Sequence, residues 1–274
     1  MTYTGEVPYR DNLELVSRLG RAGLLAGPVH ELVERGAEAV AYLCTACSFV
    51  DGVIGERALR EAMLAYGAQR VVTTSGAVSD ALRAVGARRL AVVHPYQEPV
   101  DRLLATYLGT SGFDVVALTG LGLDAVEDVY AVEEQQVVDT VIRGDHPRAD
   151  AVFISCTTLP TYDALPRLEE RLGKPVVSAN QVTAWALLGA VGERAHGPRH
   201  RLLDRATRCE YHPAMAATGS RKASMRGGAD STRGARVRFR QALPRVDVRA
   251  STGRVVWPAP CACGSTAGTG RAYA

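Results

Sequence analysis

The sequence contains no run of about 18 apolar residues, the length that a membrane-spanning helix needs. It also lacks the order of basic, apolar and small residues that marks an N-terminal signal peptide. Its six cysteines do not follow the regular spacing of a disulfide framework, and no Gly-x-Gly-x-x-Gly follows a predicted strand. We therefore expect a protein of the reducing cytoplasm with no membrane association, and a Rossmann-type dinucleotide site is the weaker hypothesis.

Charge is unevenly distributed along the chain. The whole sequence has 32 Lys and Arg against 29 Asp and Glu, but residues 205–274 contain 13 basic and 3 acidic residues. This segment mixes Gly, Ser, Thr, Arg and Ala without period, which is typical of a disordered tail. A basic tail can bind nucleic acid or an anionic surface. We favour a disordered extension or a frame-shifted translation, and expect no nucleic-acid partner.

From residue 37 to residue 190, short apolar runs alternate with segments of helical periodicity, which indicates an α/β fold with parallel sheets. The predicted strands are Ala39–Leu43, Arg70–Thr74, Leu90–His94, Asp114–Leu118, Ala151–Ser155 and Pro175–Ser178. The predicted helices are Gly55–Tyr66, Ala77–Val85, Glu98–Thr110, Val132–Ile142, Asp163–Leu172 and Gln181–Ala190. Four glycines are expected to end helices: Gly67, Gly86, Gly112 and Gly173.

This alternation predicts two doubly wound α/β halves, divided near Gly86 to Arg89. The predicted units are residues 1–88, residues 89–204 with a closing helix, and the tail 205–274. Helical spacing from Leu13 to Val33 precedes the first predicted strand. Because such a half normally opens with a strand, the first strand of the N-terminal half is expected to be missing.

Two apolar runs end in Cys-Thr, at Cys44-Thr45 and Cys156-Thr157. Each cysteine is predicted at a strand-to-helix turn, where unpaired N–H groups and the helix dipole stabilise a thiolate. The alternative is that each is a buried, inert thiol, as most free cysteines are. Two matching turns favour a function for Cys44 and Cys156, whereas the extra Cys47 is expected to be structural.

Four motifs together resemble the maleate cis-trans isomerase and arylmalonate decarboxylase branch of the aspartate/glutamate racemase superfamily. The resemblance covers about residues 10–204 and implies two pseudo-symmetric, flavodoxin-like halves with a cofactor-independent and metal-independent site between them. Members are often dimeric, so the resemblance allows a homodimer. The motifs are Tyr42-Leu43-Cys44-Thr45-Ala46-Cys47-Ser48-Phe49, His94-Pro95-Tyr96, Ser155-Cys156-Thr157 and Val177-Ser178-Ala179-Asn180-Gln181.

The resemblance also implies roles for individual residues. Cys44 would be the nucleophile and Cys156 the general acid/base, acting on a small carboxylate, with maleate to fumarate through a covalent cysteine adduct as the favoured reaction. The groups implied to bind the substrate are Thr45, Ala46, Tyr96 and Thr157. Without ligand, Thr45 and Thr157 could instead cap helices, and Tyr96 could simply pack at a strand end.

Three alternatives stay open. The same pair of thiols could racemise an amino acid or hydantoin by removing and replacing an α-proton. Family members with glycine at the Cys44 position resemble decarboxylases, so an arylmalonate-type decarboxylase is the second alternative. Members also begin with a strand and a loop whose Asn contacts a carboxylate, which no segment before Leu13 matches. A truncated, inactive member is therefore the third alternative.

Overall fold

The computed structural model describes residues 12–123, 125–197 and 199–204, which contain ten α-helices, six strands and a short 3₁₀ helix. The strands are β1 Val40–Tyr42, β2 Val71–Thr73, β3 Arg89–His94, β4 Asp114–Gly120, β5 Ala151–Ile154 and β6 Val176–Ser178. The helices are α1 Asn12–Leu19, α2 Ala26–Glu34, α3 Thr45–Phe49, α4 Gly52–Ala65, α5 Thr74–Ala84, α6 Glu98–Thr110, α7 Val126–Tyr130, α8 Glu134–Gly144, α9 Leu165–Leu172 and α10 Ala179–Ala190, and the 3₁₀ helix is Ala22–Leu25.

The strands form two parallel sheets. In the first, β1 pairs with β2, and Val40 lies opposite Val71. In the second, the order is β4-β3-β5-β6, with Leu90 opposite Ala151 and Val152 opposite Val176. In both sheets a strand that ends near a Cys-Thr pair has the next strand of the chain beside it. The carboxyl ends of parallel strands lie along the same side of a sheet. Each Cys-Thr motif therefore lies at the carboxyl-terminal side of its sheet.

Strands β1, β2, β5 and β6 are buried along their whole length and rich in β-branched residues, as parallel strands covered by helices require, whereas β4 at the edge of its sheet is partly exposed. All four residues of β5, Ala151–Ile154, are fully buried. One hydrophobic cluster contains residues of both sheets, including Val40, Val92 and Phe153. Helix α10 follows β6 but packs against α5 and β2 of the first sheet, so it joins the two sheets through one core.

The structure confirms the α/β class with parallel sheets. Every predicted strand and helix is present with shifted ends, and the four glycines expected to end helices all have positive φ. Two helices, α3 and α7, were not predicted. The predicted strand-to-helix turn at Cys156 was wrong, because α9 begins at Leu165, eight residues after Thr157, so no helix starts directly after Cys156.

Some predictions concern residues outside the described part. The tail 205–274 and residues 1–11 lie there, and the boundaries of the three predicted units stay predictions. Within the described part, α1 is the first element and β1 the first strand. None of the described helices is long and apolar enough to cross a membrane.

Candidate active site

Cys44 lies between β1 and α3. Its extended backbone, with φ −145° and ψ 116°, ends the strand, and the residue serves as N-cap of α3. The Sγ atom accepts a hydrogen bond from the backbone N–H of Cys47 at 3.4 Å, which satisfies one of the free donors of the first helical turn. Cys44 therefore lies at a strand-to-helix turn, but the helix is α3, which was not predicted, and not the predicted helix Gly55–Tyr66.

The state of Cys44 differs from the prediction. Cys44 and Cys47 are paired as a disulfide, with Cα atoms 5.5 Å apart, so the thiolate predicted for Cys44 exists only after this bond is reduced. The physical reason is α3 itself, because residues three positions apart lie on the same side of a helical turn. Cys156 is a free thiol. The remaining three cysteines lie outside the described residues.

Cys156 follows β5 in a turn and not at a helix start. Its Sγ accepts from the N–H of Thr158 at 3.5 Å, and the backbone of Leu159 and the hydroxyl of Thr158 also stabilise the thiolate form. Its φ is +90°, a conformation that L-residues avoid. Such strain persists only where surrounding contacts hold the backbone, and it concentrates at functional sites.

Tyr96 connects the two cysteine turns. Its hydroxyl lies 3.1 Å from the hydroxyl of Ser155 and also interacts with the thiol of Cys156. The hydroxyl of Thr45, at the start of α3, acts on the same phenol and lowers its pKa. Phe49 of α3 packs edge-on against the Tyr96 ring, with centroids 5.9 Å apart. The start of α3 and the turn after β5 therefore meet at one phenol.

Burial sets the protonation of the two titratable groups at this point. Burial raises the pKa of the Cys156 thiol, and the hydrogen bond from the N–H of Thr158 lowers it by less. The neutral thiol is therefore favoured at neutral pH. Burial and the nearby Cys156 raise the pKa of Tyr96 well above its usual value, so the phenol stays protonated. Both groups can therefore donate a proton or a hydrogen bond.

The predicted substrate-binding residues belong to the two cysteine turns and to Tyr96 itself. Thr45 and Ala46 form the buried first turn of α3. The Thr45 hydroxyl is close enough to influence Tyr96, yet it makes no hydrogen bond of good geometry to any described residue. Thr157 lies beside Cys156, and its carbonyl accepts from the side chain of Asn180 at 2.8 Å. Their roles toward a substrate stay predictions.

Sequence reasoning placed two further residues in the motifs but gave them no role at the site. Ser155, fully buried, bonds the Tyr96 hydroxyl, and Asn180, in the first turn of α10, fixes the turn that carries Cys156. The signal for both was a polar residue at the end of a buried strand or just beyond it. Among the described residues, no group of three or more His, Cys, Asp and Glu side chains could hold a metal ion.

Two parallel sheets with a cysteine turn on each, meeting at a shared tyrosine, define an α/β protein with a two-cysteine site and agree with the resemblance to the aspartate/glutamate racemase superfamily. The family model of arylmalonate decarboxylase matches residues 24–203, and the chain belongs to that family.

Known proteins of two activities are similar to this chain. Arylmalonate decarboxylase of Bordetella bronchiseptica is 34% identical over 177 residues, covering 63% of this chain and 74% of that protein. Maleate isomerase of Geobacillus stearothermophilus is 28% identical over 175 residues, covering 61% of this chain and 69% of that protein. A crystal structure of a double mutant of arylmalonate decarboxylase in the liganded form has a TM-score of 0.64 and 32% identity, covering 67% of this chain and 80% of that one. The family is shared by decarboxylases and isomerases.

Proposed function

We propose that the reduced protein is a cofactor-independent isomerase that converts maleate to fumarate through a covalent adduct on Cys44. The observation that carries the proposal is the meeting of both cysteine turns at Tyr96, whose hydroxyl interacts with Cys156 and with Thr45, the neighbour of Cys44. A small diacid held at this phenol would have one cysteine on each side. Two opposed sulfur groups suit a reaction that needs a nucleophile and a proton donor together.

The first step is addition of the Cys44 thiolate to one alkene carbon of maleate. A C–S bond forms, the π bond breaks, and its electron pair moves to the adjacent carbon, where the carboxylate delocalises it as an enolate. The former double bond is now a single bond, and the adduct rotates about it. Reversal of the addition from the rotated adduct releases fumarate and restores the thiolate.

Cys156 handles the proton in this sequence. Because burial keeps its thiol neutral, it can donate a proton to the carbon that carries the negative charge. The resulting Cys156 thiolate is stabilised by the N–H of Thr158. It removes the same proton after rotation, which drives elimination of Cys44. No proton is gained or lost over the cycle.

Hydrogen-bond donors around Tyr96 would bind the carboxylates. The phenol stays protonated. The Thr45 hydroxyl makes no hydrogen bond of good geometry within the described residues, so its weak contact with Tyr96 can be exchanged for one with a carboxylate. The N–H groups of Thr45 and Ala46 belong to the first turn of α3, where helical N–H groups have no intrahelical acceptor. Thr157 would serve the second carboxylate. Donors placed where an enolate develops lower the barrier more than they stabilise the substrate.

Decarboxylation of an arylmalonate is the second candidate, because the relative with 34% identity is an arylmalonate decarboxylase. That reaction needs only one cysteine, which protonates the enolate left after loss of carbon dioxide. Cys156 could perform this step without Cys44. The presence of a cysteine at position 44 favours the isomerase, since a second sulfur nucleophile is needed only for the adduct.

The proposal is tested by proton NMR of maleate mixed with protein kept reduced by a thiol reductant, with no added metal or nucleotide. We expect fumarate to accumulate with the wild-type protein and not with Cys44→Ala. An arylmalonate and an amino acid in D2O are assayed in parallel. Release of carbon dioxide by both proteins, with no fumarate, would replace the isomerase by a decarboxylase. Exchange of the α-proton alone would replace it by a racemase.

A further inference from the structure

Cys44 and Cys47 are placed for reversible bonding to each other. Their Cα atoms are 5.5 Å apart, within the range of about 4.4–6.8 Å that an ordinary disulfide spans. We propose that the two residues form a dithiol–disulfide couple that withdraws the Cys44 thiol from catalysis under peroxide and restores it under a thiol reductant. The effect on turnover rests on the proposed function, whereas the couple itself does not.

The local backbone suits both states. Cys44 is the N-cap of α3, and its sulfur lies over the first helical turn, where it accepts the N–H of Cys47. Cys47 is on the same side of that turn because it lies three residues further along. The S–S bond therefore links two residues of one local turn and joins no distant parts of the fold.

The two sulfurs are not equivalent. Cys47 is 1% exposed and packs in the hydrophobic core, whereas Cys44 is 9% exposed and adjoins Thr45, which reaches Tyr96. Of the two sulfurs, that of Cys44 belongs to the more exposed residue, so an oxidant reaches it first. Cys47 is then the only described cysteine beside it, because Cys156 belongs to the other sheet and is free. Cys44 is the attacking thiol and Cys47 the resolving thiol.

The chemistry balances with hydrogen peroxide as oxidant. The Cys44 thiolate attacks one peroxide oxygen, the O–O bond breaks, and a sulfenic acid and one water result after proton transfer. The Cys47 sulfur then attacks the sulfenic sulfur, expels hydroxide, which leaves as a second water, and forms the S–S bond. Two thiols have lost two electrons to the peroxide. A dithiol such as dithiothreitol reverses this by two exchange steps and is itself oxidised to its disulfide.

Two consequences follow for the active site. In the disulfide, Cys44 has no thiolate to add to an alkene, so isomerisation stops. The same bond prevents a second molecule of peroxide from taking the sulfenic acid to a sulfinic acid, which thiols do not reduce. Cys47 thus makes inactivation reversible, and removing it should make inactivation permanent.

The experiment uses the full-length protein and has one readout that does not depend on turnover. Trypsin releases residues 36–57 as one peptide, which contains Cys44 and Cys47 and no other cysteine. After peroxide, we expect this peptide to resist alkylation and to weigh two hydrogens less than in the reduced protein. After dithiothreitol it should take two alkyl groups. Cys156→Ser should behave in the same way, which shows that Cys156 takes no part.

Turnover of maleate is measured on the same samples. We expect peroxide to lower wild-type activity by at least about tenfold and dithiothreitol to restore it. Cys47→Ala and the near-isosteric Cys47→Ser should be active before treatment, lose activity to peroxide, and stay inactive after dithiothreitol, with a sulfinic acid on Cys44. Circular dichroism tests whether each variant is folded. Two different substitutions are used so that the result does not depend on one variant that fails to fold.

Each outcome decides the inference. Two alkyl groups on the 36–57 peptide after peroxide, or full activity in protein whose peptide is wholly disulfide-bonded, would overturn it. Equal recovery by dithiothreitol in wild type and both Cys47 variants would also overturn it. If the disulfide forms and reverses but reduced protein never acts on maleate, the proposed function fails while the couple stands.

Discussion

The hydroxyl of Tyr96 lies 3.1 Å from that of Ser155, at the point where the turn after β5 meets the start of α3. Ser155 immediately precedes Cys156 and is fully buried, so this contact ties the phenol to the backbone that holds the thiol. Thr45 approaches the same phenol from the other sheet. A change at Tyr96 should therefore affect the surroundings of both Cys44 and Cys156.

Tyr96→Phe keeps the ring that packs on Phe49 and removes the hydroxyl. We expect kcat for maleate to fall by about 100-fold, the usual cost of losing one donor to a developing enolate. Stability should change little. Steady-state kinetics with thermal melting separates the two effects. Tyr107→Phe is the matched control, since Tyr107 packs on the same Phe49 ring with centroids 6.3 Å apart and should keep full activity. Equal losses in both variants would mean that the phenol of Tyr96 acts only through packing.

Cys156→Gly should be more stable than Cys156→Ala. Glycine normally costs about 0.5–1 kcal/mol relative to alanine, but at φ +90° it relieves strain that an L-residue bears at about 1–2 kcal/mol. Urea unfolding of the two variants measures the difference. Ser155, whose φ is not positive, provides the control pair, in which Ser155→Ala should be the more stable variant. If the alanine variant is more stable than the glycine variant at both positions, the backbone at Cys156 carries no strain.

Thr45→Val should raise stability while it lowers activity. The Thr45 hydroxyl is buried with no hydrogen bond of good geometry among the described residues, and an isosteric methyl removes its desolvation cost of about 1 kcal/mol. The same change removes a donor for the carboxylate, so KM for maleate should rise. Chemical denaturation and kinetics on one preparation test both. A loss of stability would show that this hydroxyl is hydrogen-bonded in the folded protein.

His94 should make the folded protein sensitive to acid. Burial lowers the pKa of His94 from 6.5 to about 4, against a smaller opposing effect of the Tyr96 backbone. Above pH 6.5 the residue is neutral in both states and contributes nothing. Between pH 6.5 and 4 only the unfolded chain takes up the proton. The free energy of unfolding therefore decreases as the pH is lowered, by about 3 kcal/mol in total.

The measurement is the free energy of unfolding of wild type and His94→Phe between pH 7 and 4. The variant keeps an aromatic ring against Tyr96 and should lose stability less steeply. Burial also lowers the pKa of His200, but His200 is present in both proteins, so its contribution cancels in the comparison. Parallel curves would contradict a neutral, buried His94.

The sequence was informative where burial produced a pattern. Valine-rich runs such as Val71–Thr73 located the strands, because parallel strands covered on both faces are apolar throughout. Helix α3 was missed because it is only five residues long and all five are buried, so it has no exposed polar face to produce a helical pattern. The disulfide was missed with it, since only the helical turn brings Cys47 beside Cys44. The turn after Cys156 depends on contacts from Tyr96 and Asn180, which are distant in sequence.

The central claim is that Cys44 forms a carbon–sulfur bond with the substrate. In reduced Cys156→Ala the nucleophile is intact, water protonates the enolate, and the base that removes this proton is missing, so the protonated adduct should accumulate during incubation with maleate. Mass spectrometry of the tryptic peptide 36–57 measures it. We predict a mass increase of one maleic acid, with fragment ions that place it on Cys44, and no increase in the Cys44→Ala, Cys156→Ala double variant. An adduct on Cys47, or none in protein that still produces fumarate, would contradict the account.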